Sequence, residues 1–332
     1  MITEGHKFLS SHSLILCFLF IFFLFSGLAG CGQKEDAVSS GIQLKGTVRV
    51  SGAWALYPMM VRWAEEFNKI YPHVRIDVSA GGAGKGAADA LAGLTDIGMV
   101  SRDIKEEEIR QGGFFVPVVK DAVFPTMNAE NPAAKEILTR TGLKKDQFIN
   151  LWVKSRALTW GELGGTPSKD KVQVYTRSDS CGAAETWAAY LGGKNQEDLK
   201  GVGVYGDPGV ADAVRKDVMA LGFNNLNYAY DSKTGLAIKG LAVPPVDVNG
   251  NGRVDPEEDL STKEKAIKAV MSGIYPSPPA RSLNLITKER FKGPAKIFVK
   301  WILTEGQKYV DEVGYIRLED SLIKDTIRKM DQ

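Results

Sequence analysis

Apolar and polar positions alternate in short blocks along most of the chain. Residues 48–50 form a strand-sized apolar run that ends in Ser51-Gly52. Pro58 opens a stretch to residue 70 in which Met59, Met60, Trp63 and Phe67 recur at helical spacing, and Tyr71-Pro72 closes it. Residues 74–78 alternate with period two. Gly81-Gly82-Ala83-Gly84-Lys85-Gly86 then turns the chain into a helix predicted over 87–92, and 96–100 is again strand-like. This repeated strand–turn–helix rhythm predicts a parallel sheet with crossover helices. It returns with a strand at 172–175, a turn at 177–182 and a helix opening at Cys181 or Gly182 and running to 191. Helices are further predicted over 210–219, 263–271, 294–303 and 305–313, and strands over 236–243 and 283–286. Pro276, Pro278 and Pro279 stiffen a segment suited to an interdomain crossover.

The first thirty residues follow another pattern. After a polar start with Lys7, residues 14–25 are an apolar run too short to span a bilayer comfortably. It suits the core of a secretory signal. The run leads to Leu28-Ala29-Gly30-Cys31, which resembles a bacterial lipobox. The expectation is a signal peptide over 1–30 and lipidation of Cys31, followed by a flexible tether over 31–45. The mature protein then sits in the periplasm or at the cell surface, anchored to a membrane.

Composition narrows the chemistry. Lys+Arg 42 against Asp+Glu 40 leaves a net charge of +2, so no nucleic-acid partner is expected. With 44% hydrophobic and 25% charged residues over 332 positions, the chain suits two domains or one large α/β unit. Removal of Cys17 and lipidation of Cys31 leave Cys181 as the one mature thiol, so no intrachain disulfide can form. Cys181 at a helix start suggests a nucleophile. The only mature histidine, however, is His73, in a turn before a strand. No nucleophile–base set can be assembled, and the chain is read as no enzyme.

Three small-residue turns, over 51–57, 81–87 and 178–184, each lead a strand into a helix. Helix N-termini carry unpaired N–H groups and partial positive charge, and small side chains let an anion reach them. The candidates are Ala53, Trp54 and Ala55 on the first turn, Ala83, Gly84 and Lys85 on the second, and Cys181, Gly182 and Ala183 on the third. Arg177 offers a planar bidentate donor, and Ser101-Arg102 follows the third strand. A site for an oxyanion that still carries a proton also needs a buried acceptor, which would repel an unprotonated dianion. Asp103 is one candidate, or else a helix N-cap; Asp179 is another, or else it orients Arg177.

In this order, the run from Gly52 to Pro58, the glycine turn at 81–86, Asp96-Ile97-Gly98-Met99-Val100-Ser101-Arg102 and Arg177-Ser178-Asp179-Ser180-Cys181-Gly182 resemble the phosphate-binding proteins of phosphate ABC importers. Phe298-Val299-Lys300-Trp301-Ile302-Leu303 and Gly314-Tyr315-Ile316 agree, and the resemblance spans 46–318. It implies an α/β, two-lobed type II periplasmic-binding-protein fold, each lobe a mainly parallel sheet flanked by helices. Two crossover strands would join the lobes, which close over an oxyanion. Lobe I is expected over 46–122 and 284–332, and lobe II over 123–283. The implied partners are inorganic phosphate and ABC permease subunits, with the protein a monomer. The departures lie at the ligand. That family presents Ser or Thr hydroxyls from each turn, where this chain has Ala53, Trp54, Ala55, Ala83 and Cys181-Gly182-Ala183. A hydrogen bond to a charged partner is worth about 1.5–3 kcal/mol. Either Trp54, Lys85, Ser101, Arg102 or Ser180 compensates, or the ligand is another oxyanion such as tungstate, molybdate or arsenate. A sensor or adaptor that binds the anion is the alternative to a transport component.

One motif lies outside this scheme. Asp247-Val248-Asn249-Gly250-Asn251-Gly252-Arg253-Val254-Asp255-Pro256-Glu257-Glu258 matches an EF-hand loop, with oxygen ligands at Asp247, Asn249, Asn251, Asp255 and Glu258. The Arg253 carbonyl falls at the seventh position and Gly252 at the sharp turn. No entering helix precedes it, so a structural Ca2+ in an isolated loop is expected.

Overall fold

The computed structural model describes residues 44–332; the expected signal peptide, most of the tether and Cys31 lie outside the described residues. The strands in chain order are β1 (Gly46–Gly52), β2 (Val74–Ala80), β3 (Ile97–Val100), β4 (Gly113–Asn128), β5 (Leu143–Lys144) and β6 (Gln173–Arg177). After them come β7 (Val202–Val204), β8 (Ala220–Asn225), β9 (Leu241–Ala242), β10 (Val246–Asp247) and β11 (Ala280–Lys288). One hydrogen-bonded path runs β2-β1-β3-β11-β4-β8-β6-β7, with β9 on β4, while β10 and β5 form a separate pair. Parallel pairing occupies both ends, β1 with β2 and β3, and β6 with β7 and β8. Its crossovers are the helices Tyr57–Ile70, Ala83–Leu91, Gly182–Tyr190 and Gly206–Lys216, as the strand–turn–helix rhythm predicts for the first three. This is the two-lobed type II periplasmic-binding-protein fold.

The joint between the lobes is β4 with β11. Gly113 to Ala122 of β4 pair with β11, and Val123 to Met127 pair with β8, so one strand leaves one lobe and enters the next. The periodicity reading missed β4. From Val118 onward nearly all its residues are buried rather than alternating, and it contains Pro117 and Pro125, which argue against an interior strand. The structure accommodates Pro117 at a bulge. The register on β11 steps from Leu283↔Val119 to Asn284↔Pro117, leaving Val118 unpaired where the ladder has already broken. The proline segment at 276–279 precedes β11 and is not itself a crossover.

Each lobe has its own core. One gathers residues from 48–119 and 283–330, where Phe67 packs on Phe298 at 4.9 Å and Trp63 Nε1 donates to the Gly306 carbonyl at 2.8 Å. The other lies within 122–280, where Trp187 stacks on Phe223 at 5.6 Å and Trp152 meets it edge-on. Trp160, Trp187 and Trp301 are core residues, as indole area burial favours.

Three local differences from the pattern have clear causes. The second helix starts at Ala83, not residue 87, with Gly82 as its cap at φ 90°. Its glycines therefore serve close packing more than turning: a Cβ on Gly86 would stand 2.8 Å from the Gly52 Cα of β1. The predicted strand over 236–243 survives only as β9, on the outer edge. Residues 305–313 divide into a 3-10 segment, Glu305–Tyr309, and one helical turn, Val310–Val313. Among the described residues no helix is long and apolar enough to cross a membrane.

Candidate functional site

The predicted turns converge across the joint. The Gly84 amide, at the start of its helix, donates to the Ser180 carbonyl of the other lobe at 3.2 Å. Gly82 lies against Ser180 and Asp179, and Gly182 lies directly against Ser101. Three segments named from sequence thus meet at one place, with the lobes closed on each other.

At this meeting point sits Arg177, at the C-terminal end of β6 and 1% exposed in its side chain. Its Nε and Nη2 donate to Asp179 at 2.8 and 2.5 Å, and its Nη1 donates to Asp207 at 2.6 Å. A guanidinium carries five N–H donors. Three are engaged here, so two remain for a ligand. Burial alone would lower the Arg177 pKa, but Asp207 and Asp179 raise it well above the ordinary value, so the charge is permanent. Burial raises and the Arg177 hydrogen bond and charge lower the Asp179 pKa, with a net shift downward. Asp179 Oδ1 also accepts from the Gly206 amide at 3.0 Å.

Asp207 was not singled out from sequence. It opens the helix Gly206–Lys216 after β7, a fourth strand-to-helix turn whose signal, Tyr205-Gly206-Asp207-Pro208, resembles the other three. Asp207 is buried and also accepts from the Asn225 amide and side chain at 3.0 and 2.8 Å. Asn225 accepts in turn from Arg281, whose Nε donates to the Ser101 carbonyl at 3.0 Å. Arg281 further faces Asp121 at 3.4 Å, and burial pushes the Asp121 carboxyl up to about 6. A continuous buried polar network therefore runs from Arg177 in lobe II, through the crossover strands, to Ser101 in lobe I.

Other candidates are committed elsewhere. The Ala53 amide belongs to the sheet, donating to Met99 at 2.9 Å, and the Ala55 carbonyl accepts from Tyr315 at 2.6 Å. Lys85 turns along its own helix to Asp89, which also accepts from Ser51 at 2.8 Å, so it takes no part in the cleft. Arg102 is held bidentately by Glu108 at 2.7 and 3.0 Å and reaches Glu185 of the other lobe at 3.0 Å. Burial lowers its pKa, and Glu108 and Glu185 more than offset this. It is an interlobe latch, joined by Lys105, which meets the same Glu185 at 3.0 Å. Asp103 is exposed, and the helix Glu106–Arg110 is preceded by Lys105, so Asp103 is neither a buried acceptor nor the cap. Ala83 and Ala183 are fully buried and contribute no polar side chain.

Trp54 packs across the joint. Tyr228 donates to its carbonyl at 3.2 Å, and its ring meets Tyr205 edge-on at 6.2 Å and lies over Gly206. Its indole N–H is shielded from solvent and has no acceptor among the described residues. The core indoles of Trp187 and Trp301 share this feature, so what distinguishes Trp54 is its place against Gly206, whose amide donates to Asp179.

Cys181 caps the helix Gly182–Tyr190, its Sγ accepting from Ala184 at 3.4 Å and its amide donating to Gln196 at 2.9 Å. Burial pushes the thiol up to about 12, so it stays protonated. Peptide mass spectrometry after iodoacetamide treatment at neutral pH should find Cys181 unmodified in the folded protein and modified after denaturation. Cys181→Ala should keep anion affinity within a few-fold.

Comparison with known proteins agrees with this geometry. Residues 37–305 match the family model described as a PBP superfamily domain. The phosphate-binding protein PstS of Methanocaldococcus jannaschii is 25% identical over 348 residues, covering 90% of this chain and 89% of its own. The PstS of Pseudomonas aeruginosa is 26% identical over 322 residues, covering 90% and 89%. A Clostridium perfringens protein solved with bound phosphate superposes with TM-score 0.67 at 24% identity, over 82% of this chain and all of that one. These relatives are binding proteins, in keeping with a chain that is not an enzyme.

Proposed function

The chain belongs to the PBP superfamily, and from that premise we propose that it captures inorganic phosphate between its lobes and delivers it to an ABC importer. The observation that carries the reading is Arg177, buried at the interlobe meeting point with two N–H donors to spare. These donors and the Trp54 N–H take the place of the hydroxyls that this chain lacks. Asp179 serves as the acceptor for the proton of monohydrogen phosphate, a role that sulfate cannot fill and that repels it. Closure follows from contacts made by both lobes: Gly84 to Ser180, Arg102 and Lys105 to Glu185, and Trp54 to Tyr205 and Tyr228. A ligand that bridges the lobes favours the closed form by its differential contacts. Lipidation of Cys31 would hold the receptor beside the permease, outside the cytoplasm.

The test is calorimetric titration of the purified chain, stripped of ligand by unfolding and refolding. Phosphate should bind with micromolar or tighter affinity, on the order of −8 kcal/mol or better, and excess sulfate should not displace it. Binding of tungstate, molybdate or arsenate without phosphate would reassign the ligand. That outcome has a specific motive in Ala53, Ala83 and Ala183, which carry no hydroxyl.

A further inference from the structure

The loop over 247–258 plays no part in the anion site, yet it is among the most specialised sequences in the chain. β10 pairs in parallel with β5 and delivers Asp247 to the loop mouth. The 3-10 turn Pro256–Glu258 brings Glu258 back to the same place, where its carboxylate accepts from the Val248 and Asp255 amides at 2.8 and 3.2 Å. The first and twelfth positions of the motif therefore close on each other. Gly252 at the sixth position has φ 81°, the left-handed conformation that the turn requires.

A second observation is independent of the loop's shape. Asp247 and Glu258 are each only 4% exposed. The Asp247 side chain is wholly shielded, and its one ion-pair partner among the described residues is Lys144, 3.8 Å away and itself 45% exposed. Glu258 has no ion-pair partner among the described residues, since both its oxygens take backbone amides. Two carboxylates of one loop are thus buried with a single counter-charge, the partly exposed Lys144, between them. Buried charges are paired or coordinate a metal. Among the described residues no three Asp, Glu, His or Cys side chains are drawn together as a metal requires, so Asp247, Asp255 and Glu258 have to close in on the ion as it binds, and further oxygens have to complete the set. Asn249 and Asn251 supply them, with their amides already directed at Asp255 at 2.7 and 2.6 Å. Turning each amide over presents its oxygen there instead of its NH2 group, in exchange for the bonds that these oxygens now accept from the Asn251 and Arg253 amides at 3.0 and 2.9 Å.

We infer that residues 247–258 bind one calcium ion. Asp247, Asn249, Asn251, Asp255 and Glu258 give side-chain oxygen and Arg253 its carbonyl, and the ion ties the β5–β10 pair to the turn before the helix Lys263–Met271. An all-oxygen, mixed-charge set suits a hard cation and tolerates the irregular geometry that Ca2+ accepts and Mg2+ does not. The inference is independent of the phosphate reading. The full chain in detergent, stripped with chelator and free of phosphate, is titrated with CaCl2 by calorimetry and by thermal unfolding. The expected result is one ion per chain, with a dissociation constant within about 10⁻⁶–10⁻³ M, weaker Mg2+ binding, and a rise in unfolding temperature on adding Ca2+. Glu258→Gln, checked for folding by circular dichroism, should bind Ca2+ at least tenfold more weakly, and Asp247→Asn likewise. Folded wild-type protein that takes up no Ca2+ to about 10 mM, beyond the weak limit of such loops, would overturn the inference. So would a folded Glu258→Gln that binds as the wild type does.

Discussion

Replacing Arg177 by alanine should abolish phosphate binding and weaken the fold at once. The two free N–H donors of the guanidinium are charge-assisted, at about 1.5–3 kcal/mol each. Losing both costs roughly 3–6 kcal/mol, or about two to four decades of affinity. Loss of the positive charge also leaves Asp179 and Asp207 buried with hydrogen bonds from Gly206 and Asn225 but no counter-charge, and breaking a buried ion pair costs about 3–5 kcal/mol. Chemical denaturation should therefore show a lower midpoint with an unchanged slope. Arg177→Lys separates the two effects. It restores the charge between the carboxylates and so recovers much of the stability, but a single ammonium cannot serve Asp179, Asp207 and a ligand in one plane. A folded Arg177→Lys that binds phosphate as tightly as the wild type would place the anion elsewhere.

The contrast between Arg177 and Arg102 shows what the linear chain can and cannot reveal. Both arginines follow a strand end, and both are suitable anion donors by residue type. Arg102, however, is held bidentately by Glu108, six positions on, and its Nε is ion-paired at 3.0 Å with Glu185, far away in sequence. Lys85 is captured by Asp89 in the same way. A long charged side chain goes to the carboxylates that the fold places nearest, and periodicity does not report those. Glycine turns are easier to read, because their meaning is a lack of side chain. Spacing together with the family resemblance places the turns that hold Gly82, Gly84 and Gly182 at the cleft, and each of these glycines lies there against the opposite lobe. The network through Asp207, Asn225, Arg281 and Asp121 stayed hidden because its members are scattered singly along strands and one helix start. Only the pairing of β4 with β8 and β11 brings them together. The 263–271 helix was legible to its ends because Thr262 caps it and its apolar stripe is unbroken.

Gly182→Ala should separate closure from folding. Gly182 has no positive φ and stands at the first position of its helix, so its own backbone accepts alanine. A methyl group there would fall well inside van der Waals contact with the Ser101 carbonyl and hydroxyl, and the three nearest atoms it would meet all belong to Ser101 in the other lobe. The open protein is therefore unstrained, and only the closed form suffers. Because a backbone carbonyl braced by Arg281 cannot swing aside, the penalty should approach the upper end of overpacking, about 3 kcal/mol. Depopulating the closed form lowers apparent affinity by the same factor, roughly 100-fold. The unfolding temperature of the ligand-free protein should barely change, while its rise on adding phosphate should shrink. Gly84→Ala supplies the graded comparison. The nearest obstacle to its new methyl group is the Ser180 hydroxyl, a side-chain group that can rotate, so the loss should be milder. Equal losses for the two variants would mean that Ser101 is not the rigid wall against which the lobes close. Unchanged phosphate affinity in Gly182→Ala would mean that binding does not require the closure described.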